Sequence, residues 1–117
     1  MSESFPKSQS PFLQINKSWR RLKKLNQDFQ EQADISLDEA IVLCCLSQHC
    51  KCQGDVADET GLSITQASRV LSRLENKSLI HRSIGNDDKR KMIFTITPDG
   101  RQTLEIVTPL GASHFKI

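Results

Sequence analysis

Thr65, Ser68, Arg69, Ser72 and Arg73 stand at steps of one, three and four in the stretch LSITQASRVLSRLENKSLIHR. On a helix of 3.6 residues per turn they gather on one side, opposite Ile64, Ala67, Val70, Leu71 and Leu74. Hydroxyls donate and accept hydrogen bonds, and a guanidinium donates through a planar fork that fits acceptor-rich partners. No carboxylate interrupts that face before Glu75, whereas ordinary surface helices mix Glu with Lys. The chemistry on offer is recognition of an anionic, acceptor-lined surface. Catalysis has no comparable support: the three histidines, His49, His81 and His114, are scattered, and neither a phosphate loop nor a nucleophile–base set is visible.

The face needs elements that aim it. Upstream, DVADETGLSITQASRVL has the layout of a helix-turn-helix. Ala57 is small enough for two helices to cross closely, Gly61 supplies the left-handed turn, and Leu62 plugs the gap. Ala67 and Val70 seal the angle from the second helix, which Ser63 and Gln66 open as an S-x-x-Q capping box. Downstream, LIHRSI and KMIFTIT are β-prone runs around GNDDKR, the pattern of a hairpin with a charged tip. TPDG then restarts a helix with Thr97 as cap and Pro98 in its first position, expected to stop at Pro109.

Towards the start, Phe12, Ile15, Trp19, Leu22, Leu25 and Phe29 recur at helical steps, ending near Asp34. That stripe serves either internal packing or a dimer seam. SLDE at residues 36–39 fits a second capping box, opening a helix that runs to about His49. The expected division is a flexible arm over 1–11, one domain over 12–108 and a tail over 109–117. A two-stranded hairpin does not stand alone, so it must lean on the helices.

The chain's 117 residues suffice for one modest core. The longest apolar run, 40–46, is too short to span a bilayer, and the first residues lack the pattern of a secretory signal. The expected setting is the cytoplasm, with no membrane partner and with cysteines mostly as reduced thiols. Net charge is only +2, but it is unevenly laid out. Between residues 31 and 59 seven acidic residues face Lys51 alone, whereas from 63 to 91 seven Lys or Arg face Glu75, Asp87 and Asp88. Lys17, Arg20, Arg21, Lys23 and Lys24 form a second basic stretch. Such asymmetry fits a protein that docks one face on a polyanion.

Residues 56 to 100, with TGLS, SRVLSRLENKSLIHR, DDKR and TPDG in order, resemble the winged helix-turn-helix of the MarR family of bacterial transcriptional regulators. The resemblance implies a mainly α fold with a small β-hairpin wing, and a homodimer that reads a pseudo-palindromic operator in double-stranded DNA. The recognition helix, 63–76, would enter the major groove and the wing, 85–91, would approach the minor groove. It matches Thr65, Gln66, Ser68 and Arg69 to recognition positions and Asp88 and Arg90 to a wing pair. Read from the residues themselves, Arg69 and Arg73 are expected DNA contacts, Lys89 a phosphate contact at best, Ser63 more a cap than a reader, and Arg82 a structural partner beneath the wing. Two departures stand out: Ser78 replaces the usual Gly before the Leu-Ile exit, and only 17 residues follow Gly100, where the family has two long helices. The dimer seam, if formed, is therefore expected on the N-terminal stripe or in a rearranged arrangement.

CCLSQHCKCQ crowds Cys44, Cys45, Cys50 and Cys52 beside His49, but lacks the paired C-x-x-C spacing of a zinc site. No metal or cofactor is expected. Cys50 and Cys52, flanking Lys51, are the candidates for a redox-sensing thiol, and a small-molecule effector is the other means of control. The alternative reading is a winged-helix module that binds protein through the same face. Such a module would be expected to carry apolar or mixed residues at 65, 69 and 73.

Overall fold

The computed structural model describes residues 10–49, 51–85 and 90–115. Five helices and one hairpin follow in the order α1 (Pro11–Ala33), α2 (Leu37–Gln48), α3 (Gln53–Thr60), α4 (Ile64–Asn76), β1 (Ile80–Ile84), β2 (Met92–Ile96) and α5 (Pro98–Phe115). The mainly α, winged helix-turn-helix architecture expected from the sequence is the one observed.

Local chemistry sets the boundaries. Asp34 ends α1 in the left-handed region, its N–H donating to the Gln30 carbonyl at 3.1 Å. The capping box at the start of α2 closes in both directions: Ser36 N–H donates to Glu39 Oε1 at 2.8 Å, and Glu39 N–H to Ser36 Oγ at 3.3 Å. Gly61 ends α3 at φ 77°.

The exit from α4 carries the family's turn on an unusual residue. Leu79 N–H donates to the Leu74 carbonyl and Ser78 N–H to that of Glu75, the paired bonds of a Schellman motif. Ser78 sits at its left-handed position with φ 61°, where a side chain costs about 1–2 kcal/mol. Ser78→Gly is therefore expected to raise unfolding free energy by about 0.5–1 kcal/mol, read as a higher midpoint in urea at unchanged m-value.

The core gathers Ile35, Val42, Leu43, Val56, Ala67, Leu71, Leu74 and Ile80, all essentially without solvent contact. The strands are antiparallel, with Ile80 opposite Ile96 and Ile84 opposite Met92. Phe94 and Ile96 reach the core, whereas Met92, on the same side of its strand, lies beyond its edge and is exposed. The hairpin leans on its neighbours as a lone pair of strands must. Phe94 N–H donates to the Lys51 carbonyl, and Thr97 N–H to that of Leu79.

One sequence expectation fails on the long helices. Pro109 does not end α5, which continues to Phe115. Val107 is buried, and Leu110 packs on the core. This packing holds the helix past the bond that proline removes. The apolar stripe of α1 divides: Leu25 and Phe29 enter the core, but Phe12, Ile15, Trp19 and Leu22 remain exposed, Phe12 by 81%. The radius of gyration is 17.4 Å, against about 13 Å for a compact chain of this length. The structure is extended, with principal extents of 59 × 34 × 22 Å.

Candidate nucleic-acid interface

Helices α3 and α4 pack on each other and on α2, leaving the outer side of α4 bare. Thr65, Ser68, Arg69 and Ser72 are exposed there, as their spacing requires. Ser63 is the N-cap: its Oγ accepts from Gln66 N–H at 3.1 Å, and Gln66 Oε1 accepts from Ser63 N–H at 3.1 Å. Gln66 thus turns its carbonyl back to the cap, although paired recognition of adenine needs both ends of that amide. From α3, Gln53 Nε2 donates to the Ile64 carbonyl at 3.1 Å and steadies the first turn from the other side.

Arg73, an expected DNA contact, is ion-paired within the protein in this structure. Its Nη2 donates to Asp38 Oδ2 at 2.9 Å, and its Nε lies 3.8 Å from Glu39 Oε2. Both carboxylates belong to the first turn of α2, so Arg73 braces the recognition helix internally. Lys77, one helical turn on, does the same, donating to Glu39 Oε1 at 3.0 Å and to the Asp34 carbonyl at 2.7 Å. Glu39 is 2% exposed, and its Oε2 has no hydrogen-bond partner among the described residues. Among the described residues it is the charged residue the core admits, held between these two cations.

Arg82 is a structural partner beneath the wing, as expected. Its Nη2 and Nε donate to the Glu75 carboxylate at 2.7 and 2.9 Å, and its guanidinium stands 5.7 Å from the Phe94 ring centroid. Hydrogen bonding to Arg82 holds the Glu75 carboxyl below its usual range and raises Arg82 in turn. Arg73, Lys77 and Arg82, among the cations counted between 63 and 91, are therefore engaged inside the protein. Arg69 keeps no ion-pair partner among the described residues.

Arg90 is exposed at the base of the wing tip and has an interaction of its own. Asp88 and Lys89, the other wing candidates, lie outside the described residues, as does Cys50. Cys52 is a half-buried free thiol at the N-cap of α3, and Cys44 is free and exposed on α2. Cys45 departs from the expectation of reduced thiols: it is buried and disulfide-bonded. Asp55 accepts from the Lys51 and Cys52 backbone N–H groups at 3.2 and 3.4 Å. These bonds, the Lys51 one foremost, lower its pKa.

Sequence reasoning missed two features. Ile64, on the apolar side of α4, is 57% exposed. An apolar cleft of about 200 Å³ opens between α1, α2 and α5, lined by Leu25, Phe29, Ala40, Ile41 and Leu104 among others. A helical wheel gives the direction of Ile64 but not where its neighbours stop, and only the α1–α5 packing creates the cleft.

Among the described residues no helix is long and apolar enough to cross a membrane. Residues 35–92 match the model of the MarR family. The chain is 37% identical over 54 residues to the uncharacterized HTH-type transcriptional regulator YwaE of Bacillus subtilis. That stretch is 46% of this chain and 32% of the relative, so the chain matches about a third of that protein's length. The S. aureus MepR–DNA complex superposes with a TM-score of 0.81 at 26% identity, covering 97% of this chain and 82% of MepR. BpsR of Bordetella bronchiseptica, whose DNA binding is regulated by 6-hydroxynicotinic acid, superposes at 0.79 with 23% identity, covering 97% and 82%. Order of elements, capping chemistry, sequence match and superposition agree: residues 35–92 form a MarR-family domain within a fold shared with these regulators.

Proposed function

We propose that this protein is a transcriptional regulator that binds a specific sequence in double-stranded DNA as a homodimer. The recognition helix α4 enters the major groove, and the wing approaches the adjacent minor groove. The observation that carries the reading is Arg69, a guanidinium on the bare face of α4 without a carboxylate partner among the described residues, set among Thr65, Ser68 and Ser72. Arg can fork onto guanine O6 and N7, while the hydroxyls serve either bases or phosphates. The apolar residues that a protein-binding version of this face would need are absent from 65, 68, 69 and 72.

A second copy is the proposed cover for the exposed half of α1. Phe12, Ile15, Trp19 and Leu22 form a continuous apolar band on a projecting helix, and a two-fold seam there would pair two reading helices. MepR, solved with DNA, supports the docking. The cleft between α1, α2 and α5 is the proposed seat of a small effector, a reading supported by the regulation of BpsR by an aromatic acid.

Arg69→Ala is the direct test. On a duplex enriched by the wild-type protein from a random pool, affinity is expected to fall by about 10- to 100-fold, with preference relaxed at one base pair of each half-site. The measurement is fluorescence anisotropy on the enriched duplex and its single-base variants. An unchanged affinity would contradict the assignment, and an equal loss on every duplex would reduce Arg69 to a phosphate contact.

A further inference from the structure

Ile64 continues the apolar line of α4 backwards. It stands seven residues before Leu71, within about 20° of it on the helix wheel. Leu71 and Ala67 are buried, yet Ile64 is 57% exposed because the core stops short of it. Its side chain overhangs the leading turn of the recognition helix, the end that a helix-turn-helix presents to base edges. The backbone beneath it is fixed from two sides, by the Ser63–Gln66 capping box and by Gln53 on its carbonyl. That first turn carries no acidic residue, and its polar side chains are short or committed to the cap. A rigidly mounted, branched apolar group among hydroxyls gains nothing from phosphates or water. In the major groove the apolar feature is the 5-methyl group of thymine.

We propose that Ile64 reads the 5-methyl group of a thymine in each half-site, and so helps set sequence preference. The inference rests on the DNA-binding reading above and adds a specificity-determining residue to it. Arg69, about 140° round the wheel from Ile64, would supply a separate polar contact further along the helix.

The test replaces thymines of the enriched duplex by deoxyuridine, one symmetric pair at a time. Each replacement removes the methyl groups and leaves base pairing and O4 in place. At one position the wild-type protein is expected to lose about fourfold in affinity per half-site, the worth of one buried methyl group. Ile64→Ala should bind the thymine duplex correspondingly less well, lose nothing further at that position and keep the wild-type salt slope. Ile64→Val should retain most of the discrimination, and unchanged thermal unfolding of both variants, expected at an exposed site, verifies folding.

If no replacement costs the wild type more than it costs Ile64→Ala, the proposal is overturned while specific binding stands. If the coupling vanishes instead in Thr65→Ser, the methyl is read by Thr65 and the proposal is equally overturned. If the pool yields no preferred duplex for folded protein, the DNA-binding reading fails and takes this inference with it.

Discussion

Replacing Gly100 by alanine is expected to destabilise the fold by about 3 kcal/mol or more, at the severe end for an overpacked position. Gly100 is buried in the first turn of α5, where its N–H donates to the Thr97 Oγ1 cap at 3.0 Å. Thr97 is itself fastened to the exit of α4: its Oγ1 donates to the Ser78 carbonyl at 2.8 Å and its N–H to that of Leu79. A β-carbon at position 100 would fall inside the envelope of the Leu79 carbonyl oxygen and 2.7 Å from Ile96 Cγ1. Backbone cannot yield there as a side-chain tip could, so α5 must lift from the base of the wing. The thermal midpoint should drop by about 12 °C or more for a chain of this size. Gly111→Ala is the control. Its β-carbon meets nothing within 4 Å, and a helical glycine so replaced should gain up to about 1 kcal/mol. Equal stability of Gly100→Ala and wild type would contradict the packing described.

Trp19→Glu, in the exposed half of α1, should leave the fold intact and dissolve the dimer. Trp19 is 60% exposed in the single chain, so its removal costs the monomer little. In the proposed seam it lies mid-band between Ile15 and Leu22, and a carboxylate there would have to be desolvated against an apolar partner. Sedimentation is expected to give a particle of 13.2 kDa in place of twice that mass. Affinity for a two-half-site duplex should fall by at least about 100-fold, because the second half-site is no longer tethered to the first. Unchanged helicity by circular dichroism would separate this loss from unfolding. A variant that keeps the wild-type mass would move the seam elsewhere, and wild-type affinity from a proven monomer would remove the dimer from the mechanism.

Much of this fold was legible because its signals are local. Ser36 with Glu39, Ser63 with Gln66, Gly61, and Thr97 before Pro98 each satisfy backbone groups within a few residues, so the sequence states the bond directly. The alternation of Met92, Phe94 and Ile96 likewise needs no partner to be read. Burial and pairing across the chain were less accessible. Arg73 and Lys77 look like part of a free basic face until α2 is laid across α4 and delivers Asp38 and Glu39 from more than thirty residues away. The charge asymmetry of the sequence was therefore partly an internal pairing of two elements. Pro109 signals a helix end on local grounds, yet the packing of Val107 and Leu110 overrides it. Ser78 shows the converse: the turn survives without its glycine because the two Schellman hydrogen bonds and the burial of Leu79 hold it.

For the site, the hydroxyl and guanidinium pattern at 65, 68, 69 and 72 was readable, since it depends only on helical spacing and on the absence of carboxylates. Which cations lack an ion-pair partner depended on tertiary contacts, and those leave Arg69 as the unpaired arginine of α4 among the described residues.

The most direct test of sequence-specific DNA recognition is enrichment of duplexes from a random pool, followed by affinity for the winner and a scrambled duplex across a salt series. A pseudo-palindromic winner, bound at least about 1000-fold more tightly than the scrambled duplex and weakening steeply as salt rises, is the predicted result. Folded protein that enriches no sequence and binds no duplex even at low salt would contradict it, and the bare face of α4 would then belong to a protein partner.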